Sequence, residues 1–188
     1  MRKTALAVCA AALISGGLLA GCSTAPDTDG EIASKAPEVE ALAAEGQATG
    51  WSNVESQFAK LDTQAESAAA AINGANAKEQ VLANVKAIVD NIPAIETAAK
   101  SGDIAPETEK AAQDIYLAAE TLKQLGDYSA QDVRLYIMDI ADDGLYMLRN
   151  LYDGQAANVD ARQSECEANR DRILSFTDEE WAAFANSL

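Results

Sequence analysis

From Trp51 onward, apolar residues recur every three or four positions, a spacing that predicts amphipathic helices. Four such segments run over 51–73, 76–102, 106–126 and 129–153. Their apolar stripes are Val54, Phe58, Leu61, Ala65, Ala68 and Ile72; Val81, Val85, Ile88, Ile92, Ile95 and Ala99; Ala111, Ile115, Ala118, Leu122 and Leu125; and Val133, Ile137, Ile140, Gly144, Met147 and Leu151.

The predicted ends of these helices carry the residues that commonly start or stop a helix. Pro106 suits the first position of the third helix, and Gly102 suits the end of the second. Asn76 is predicted to cap the second helix in a box with Glu79, and Ser129 the fourth in a box with Asp132. Pro93 is expected to kink the second helix.

Short connections between these helices predict antiparallel neighbours. Four helices of about twenty residues with such connections indicate an all-α, up-down-up-down four-helix bundle over residues 51–153. The fourth helix has a second apolar stripe, formed by Met138, Leu145 and Tyr152, which needs a cover of its own. We expect the C-terminal residues 154–188 to supply it as helices packed on the bundle.

The C-terminal segment predicts two helices. Val159, Arg162, Cys166 and Ile173 define the face of the first. The second begins at a Thr177-x-x-Glu180 capping box and has Trp181, Phe184 and Leu188 on one face. This face either folds back over the bundle or meets a partner or lipid headgroups. Trp181, Phe184 and Leu188 are therefore the candidate partner-binding residues.

The N-terminus has the layout of an export signal. Arg2 and Lys3 precede a charge-free stretch, 4–20, that is interrupted by small residues. The tetrapeptide Leu19-Ala20-Gly21-Cys22 resembles the lipobox of bacterial lipoproteins. The resemblance implies cleavage after Gly21, diacylation of Cys22 and anchoring in a membrane of the cell envelope; the alternative is an ordinary signal peptide with an incidental Cys22.

The resemblance also implies a location. If the cell is Gram-negative, Ser23 resembles the residue that sorts a lipoprotein to the outer membrane, facing the periplasm. Residues 22–50 are rich in small and acidic residues and contain almost no large apolar side chain, which predicts a flexible acidic tether between the lipid and the helical domain.

Charge limits the class of partner. The chain has a formal charge of −16, and removal of residues 1–21, which contain two basic residues and no acid, makes it −18. A domain of this charge is repelled by nucleic acid and by anionic lipid. We therefore expect no nucleic-acid partner and a membrane contact made only through the N-terminal lipid.

Composition also argues against an enzyme. Histidine is absent, which excludes Ser-His-Asp and Cys-His catalysis and the His-ligated metal sites. Cys166 is the one thiol left in the mature chain, and it is buried, free or bridged to another chain. Asp132, Asp139, Asp143 and Asn150 share a stripe of the fourth helix, which we interpret as a solvated face rather than a cation site.

These observations predict a non-catalytic binding or assembly module, with no cofactor and no metal, whose partner is another envelope protein. The alternative is a carrier or sensor of a small apolar ligand or a divalent cation, which would use the interior or the acidic face of the bundle.

Overall fold

The computed structural model describes residues 50–188. The predicted signal, the lipidated Cys22 and the tether up to residue 49 lie outside this range. Within residues 50–188 the regular secondary structure is entirely helical, as predicted for an all-α protein. The helices are α1 (Trp51–Phe58), a 3-10 turn (Ala59–Leu61), α2 (Asp62–Ala70), α3 (Ala77–Ser101), α4 (Pro106–Lys123), α5 (Val133–Tyr152), α6 (Ala156–Leu174) and α7 (Asp178–Ala185).

The first predicted helix is divided, so the prediction of one continuous helix over 51–73 was wrong. Helix α1 contacts α5, whereas α2 contacts α4. The 3-10 turn between them has fewer residues per turn than an α-helix and shifts the phase of the buried face. Ala69 is consequently buried in place of Ala68, while Val54, Phe58 and Ala65 face the core as expected.

Four long helices surround the core. Helix α3 contacts α4, α5 and α6, and α5 contacts α4 and α6. The segment expected to cover the bundle therefore lies between α3 and α5, with Val159, Cys166 and Ile173 fully buried. Gly144 on α5 permits a close approach, because a Cβ atom built there would lie 3.3 Å from Ile115 and 3.4 Å from Ile88.

The structure confirms some of the predicted helix ends and contradicts others. Pro106 is the first residue of α4, Gly102 ends α3 in the left-handed conformation, and α3 continues through Pro93. Two predicted caps were wrong. Asp132, not Ser129, caps α5, because its carboxylate accepts the Arg134 N–H at 2.9 Å.

Asn76 does stand at the start of α3, but its side chain is engaged elsewhere. Its Oδ1 accepts from Asn73 N at 2.7 Å, and its Nδ2 donates to the Ala71 carbonyl at 3.1 Å. The predicted capping box with Glu79 is therefore wrong, and the Asn76 side chain stabilises the α2–α3 loop instead. Among residues 50–188, no helix is both long and apolar enough to cross a membrane.

Candidate partner-binding groove

Helix α7 begins with the predicted capping box. Thr177 N donates to Glu180 Oε2 at 2.7 Å, and Glu180 N donates to Thr177 Oγ1 at 3.3 Å. Asp178, Glu179 and Glu180 form an acidic first turn, where negative charge is favoured by the helix dipole. The local sequence thus determines where this short helix begins.

The two aromatic residues of α7 face the protein interior. Trp181 is 3% exposed and Phe184 1%, and their rings meet edge to face with centroids 5.9 Å apart. Helix α7 contacts α3 and α5 through this face. Of the three candidate partner-binding residues, the structure brings Trp181 and Phe184 together under α7 and leaves Leu188, 49% exposed, at the surface.

An open groove of about 430 Å³ separates α7 from the α2–α3 loop and the start of α3. Its walls are formed by Gly74, Ala75, Asn76, Ala77, Lys78, Glu79, Asp178, Trp181, Ala182 and Ala185. The loop and the end of α7 meet closely at one edge, since a Cβ atom at Gly74 would lie 2.9 Å from the Ala185 carbonyl oxygen. Small residues therefore shape this groove, and Trp181 is its one aromatic wall residue within the described chain.

Lys78 bridges the groove. Its Nζ lies 2.7 Å from Asp178 Oδ1 and 5.9 Å from the centroid of the Trp181 ring. The hydrogen bond and the positive charge of Lys78 lower the pKa of Asp178 below its usual value. Both side chains are accessible, at 47% and 92% exposure, so water and salt screen the pair.

A second polar cluster lies between α5 and α6. Asp143 is buried and accepts from Arg162 Nη1 and from Asn169 Nδ2, both at 3.0 Å. Asn150 is also buried and accepts from Asn158 Nδ2 at 2.9 Å. The interpretation of this stripe as a solvated face was therefore wrong for Asp143 and Asn150, because α6 covers them and supplies their hydrogen-bond partners.

Cys166 lies beside this cluster. Its side chain is fully buried, with Sγ 4.0 Å from Met147 Sδ, which selects burial among the three alternatives left by the sequence. Burial, together with the nearby negative charge of Asp143, raises the pKa of the thiol to about 12. A neutral thiol of this kind is a packing residue and a poor nucleophile at physiological pH.

A third cluster marks the point where the chain enters the helical domain. Gly50 N donates to the Tyr152 carbonyl and Trp51 N to Asp153 Oδ1, each at 2.8 Å. The Trp51 ring stacks on Phe58 with centroids 5.2 Å apart and lies 6.2 Å from Tyr152. These contacts join the start of α1 to the C-terminal end of α5.

The sequence did not reveal the part of Lys78, Asp178 and Gly74 in the groove. Lys78 and Asp178 are 100 residues apart, and in the sequence each is an ordinary charged residue near the start of a helix, with no pattern that links the two.

No protein-family model, no curated protein and no solved structure matches this chain. Within residues 50–188, no group of three or more carboxylates and thiols is placed to hold a metal ion.

Proposed function

We propose that this protein is a lipid-anchored lipoprotein of the bacterial cell envelope that acts as a non-catalytic binding or assembly module. The lipobox-like Leu19-Ala20-Gly21-Cys22 supports the anchor. The groove beside α7 carries the binding proposal, because it is an accessible concave surface bounded by an aromatic residue and by charged side chains. Trp181 forms its wall and the buried Phe184 packs beneath α7, while the exposed Leu188, after the end of the helix, is a further proposed contact.

We further propose an up-down-up-down arrangement of the segments 51–70, 77–101, 106–123 and 133–152, with α6 and α7 as the C-terminal extension. Short connections and the contacts of α3 with α4 and of α4 with α5 support it for these three helices. The segment 51–70 packs on α4 and α5, and α6 packs on α3. The ion pair between Lys100, near the end of α3, and Asp160, in the first turns of α6, supports opposite directions for these two helices.

A carrier role receives less support. Gly144 packs closely against Ile88 and Ile115, which leaves little space for an apolar ligand at that level of the core. The inner carboxylate of the acidic stripe, Asp143, already has Arg162 and Asn169 as partners. We therefore favour the binding module over a carrier of apolar ligands or divalent cations.

Mass spectrometry of the full-length protein, extracted gently from its own envelope, tests the anchor. We expect a chain that begins at Cys22 and carries the mass of two or three acyl groups, and a Cys22→Ser variant that carries none. A chain with unmodified Cys22 would refute the anchor.

Site-specific cross-linking in the same envelope tests the binding module. A photo-reactive residue at Ala182, which is exposed in the groove, should give a discrete cross-linked protein. The matched control is the exposed Glu107, on the first turn of α4. Equal products from the two positions would indicate random encounter and would contradict a binding surface at α7.

A further inference from the structure

We propose that the groove beside α7 accepts a basic side chain, preferably arginine, from a protein partner, in the position that the Lys78 ammonium occupies in this structure. This inference rests on the proposed binding function and names the chemistry of its partner. It is carried by the geometry of Lys78, Asp178 and Trp181, by the charge of the surrounding surface and by the position of the groove in the molecule.

The first observation is that the groove already has the contacts that a cation requires. The Lys78 Nζ lies against Asp178 Oδ1 at 2.7 Å and faces the Trp181 ring at 5.9 Å, within the range of a cation–π contact. The Asp178 carboxylate suits a guanidinium better than an ammonium, because the planar group can donate two hydrogen bonds to it, while the nearly buried Trp181 ring closes the inner side of the groove.

The second observation is that Lys78 is easily displaced. Asp178 is 92% exposed and Lys78 47%, and exposed ion pairs contribute little to stability because water and salt compete for both charges. Lys78 also lies on the first turn of α3, where the positive end of the helix dipole disfavours a cation. An arriving side chain thus exchanges with Lys78 at small cost and leaves the lysine free to enter water.

The third observation is the charge around the groove. Glu79 and Asp178 form part of its walls, and Glu179 and Glu180 extend the acidic turn of α7. Among the ten residues of the walls, all within the described chain, Lys78 is the one base. With a net charge of −16 on the whole chain, long-range attraction favours a positively charged segment over an acidic one.

The fourth observation is where the groove lies. The chain enters the domain at Gly50, beside Tyr152 at the end of α5, and the Lys100–Asp160 pair places the end of α3 beside the start of α6. The groove is at the opposite end of α3, whose 25 residues span about 37 Å at 1.5 Å per residue. The groove is therefore remote from the point where the predicted tether joins the domain, which leaves it accessible to a protein partner.

Tryptophan fluorescence offers a direct test, because the chain has two tryptophans and the Trp51→Phe substitution leaves Trp181 as the single reporter. The full lipidated chain in neutral detergent would be titrated with hexa-arginine, hexa-lysine and hexa-glutamate peptides. We expect hexa-arginine to change Trp181 emission and to bind more tightly than hexa-lysine, and hexa-glutamate to leave the emission unchanged.

Substitutions in the groove and in a similarly exposed ion pair elsewhere distinguish specific binding from general charge attraction. Asp178→Asn should weaken hexa-arginine binding about fivefold, and Lys78→Ala should strengthen it about threefold, since it removes the competing cation. The Lys100–Asp160 pair is similarly exposed, at 58% and 49%, but lies at the other end of α3. Lys100→Ala and Asp160→Asn change net charge by the same amounts and should alter the affinity less than about twofold.

Three results would overturn the inference. If the substitutions in the two ion pairs change the affinity for hexa-arginine equally, the peptide is held by the net charge of the protein and not by the groove. A shift in Trp181 emission that appears when the anchored chain is moved from phosphatidylcholine vesicles into vesicles containing phosphatidylglycerol would indicate lipid headgroups. A cross-linked partner at Ala182 whose capture Asp178→Asn leaves unchanged would preserve the binding module and refute the arginine site.

Discussion

Asp143 and Arg162 form an ion pair across the α5–α6 interface, with the Arg162 Nη1 atom 3.0 Å from Asp143 Oδ1. Asn169 Nδ2 completes the shell by donating to Asp143 Oδ2 at 3.0 Å. The two donors lie on α6 seven residues apart, so that they flank one carboxylate of α5 from the same helix face. This cluster adds specific polar contacts to the apolar packing between α5 and α6.

Replacement of Asp143 should therefore destabilise the fold. Asp143→Ala removes the acceptor of Asn169 and one of the two carboxylates that pair with Arg162, the other being Glu165. We expect a loss of about 1–3 kcal/mol in the free energy of unfolding. Urea denaturation measures it. Asp114→Ala is the control, because Asp114 forms only a surface pair with Lys110 and should change stability by less than about 0.5 kcal/mol. Equal losses in the two variants would contradict a structural role for the cluster.

Glu109 provides a pH-dependent prediction. It is buried in the first turn of α4, and desolvation raises the pKa of its carboxyl above the usual 4.5. A folded-state pKa above that of the unfolded chain means that the folded state prefers the protonated acid, so this stabilising contribution is complete below pH 4.5 and is lost as pH rises through the folded-state pKa.

The Glu109→Gln variant removes this dependence. The difference between the free energy of unfolding of this variant and that of wild type should increase in favour of the variant as pH rises from 4 to 7. The difference should become constant above the folded-state pKa of Glu109. Denaturation curves at a series of pH values measure the difference. Glu107→Gln removes the same charge from the exposed side of the same turn, and a parallel gain in that variant would show that net charge, rather than burial, is responsible.

The anchoring of α7 can be tested at Phe184. Its side chain is almost completely buried, so Phe184→Ala should weaken the packing of α7 on the bundle by about 3–5 kcal/mol, as for other core phenylalanines. Because α7 is a short terminal helix that can open by itself, the free energy of global unfolding should decrease by less than this. Hydrogen exchange should consequently accelerate across residues 178–185. Leu188→Ala, at an exposed position, should leave exchange there unchanged.

Cys166 should be unreactive in the folded protein. Its burial and its pKa of about 12 keep the thiol neutral and out of contact with solvent. Iodoacetamide at pH 8 should modify it only at the rate at which the fold opens, and urea should accelerate the reaction by orders of magnitude. Modification of the native protein as fast as of the unfolded protein would contradict the buried position.

The sequence predicted those features that depend on neighbours along the chain. Thr177 and Glu180 form their capping box, Pro106 starts α4 and Gly102 ends α3, because each of these signals acts within a turn or two of helix. Periodicity likewise predicted most of the buried positions on α3 and α5, since a helix of fixed pitch exposes a constant face.

The sequence did not predict those features that depend on which helices meet. Asp143 and Asn150 are polar and share a stripe, which ordinarily indicates solvent, and only the partners supplied by α6 make their burial favourable. Asn76 has the residue type of a cap, but the loop competes successfully for its side chain. The groove unites Lys78 with Asp178 from distant segments, for which no local pattern exists.

The entry point of the chain has a mechanical consequence. A pull on the N-terminal segment is applied at Gly50, where two backbone N–H groups hold the first residues to Tyr152 and Asp153 and the Trp51 ring is wedged against Phe58. We therefore expect tension at Gly50 to reach the end of α5 through these contacts before α1 separates from the domain. Under the proposed lipid anchor, we expect these contacts to take up the load at one end of α3, while the groove lies at the other end.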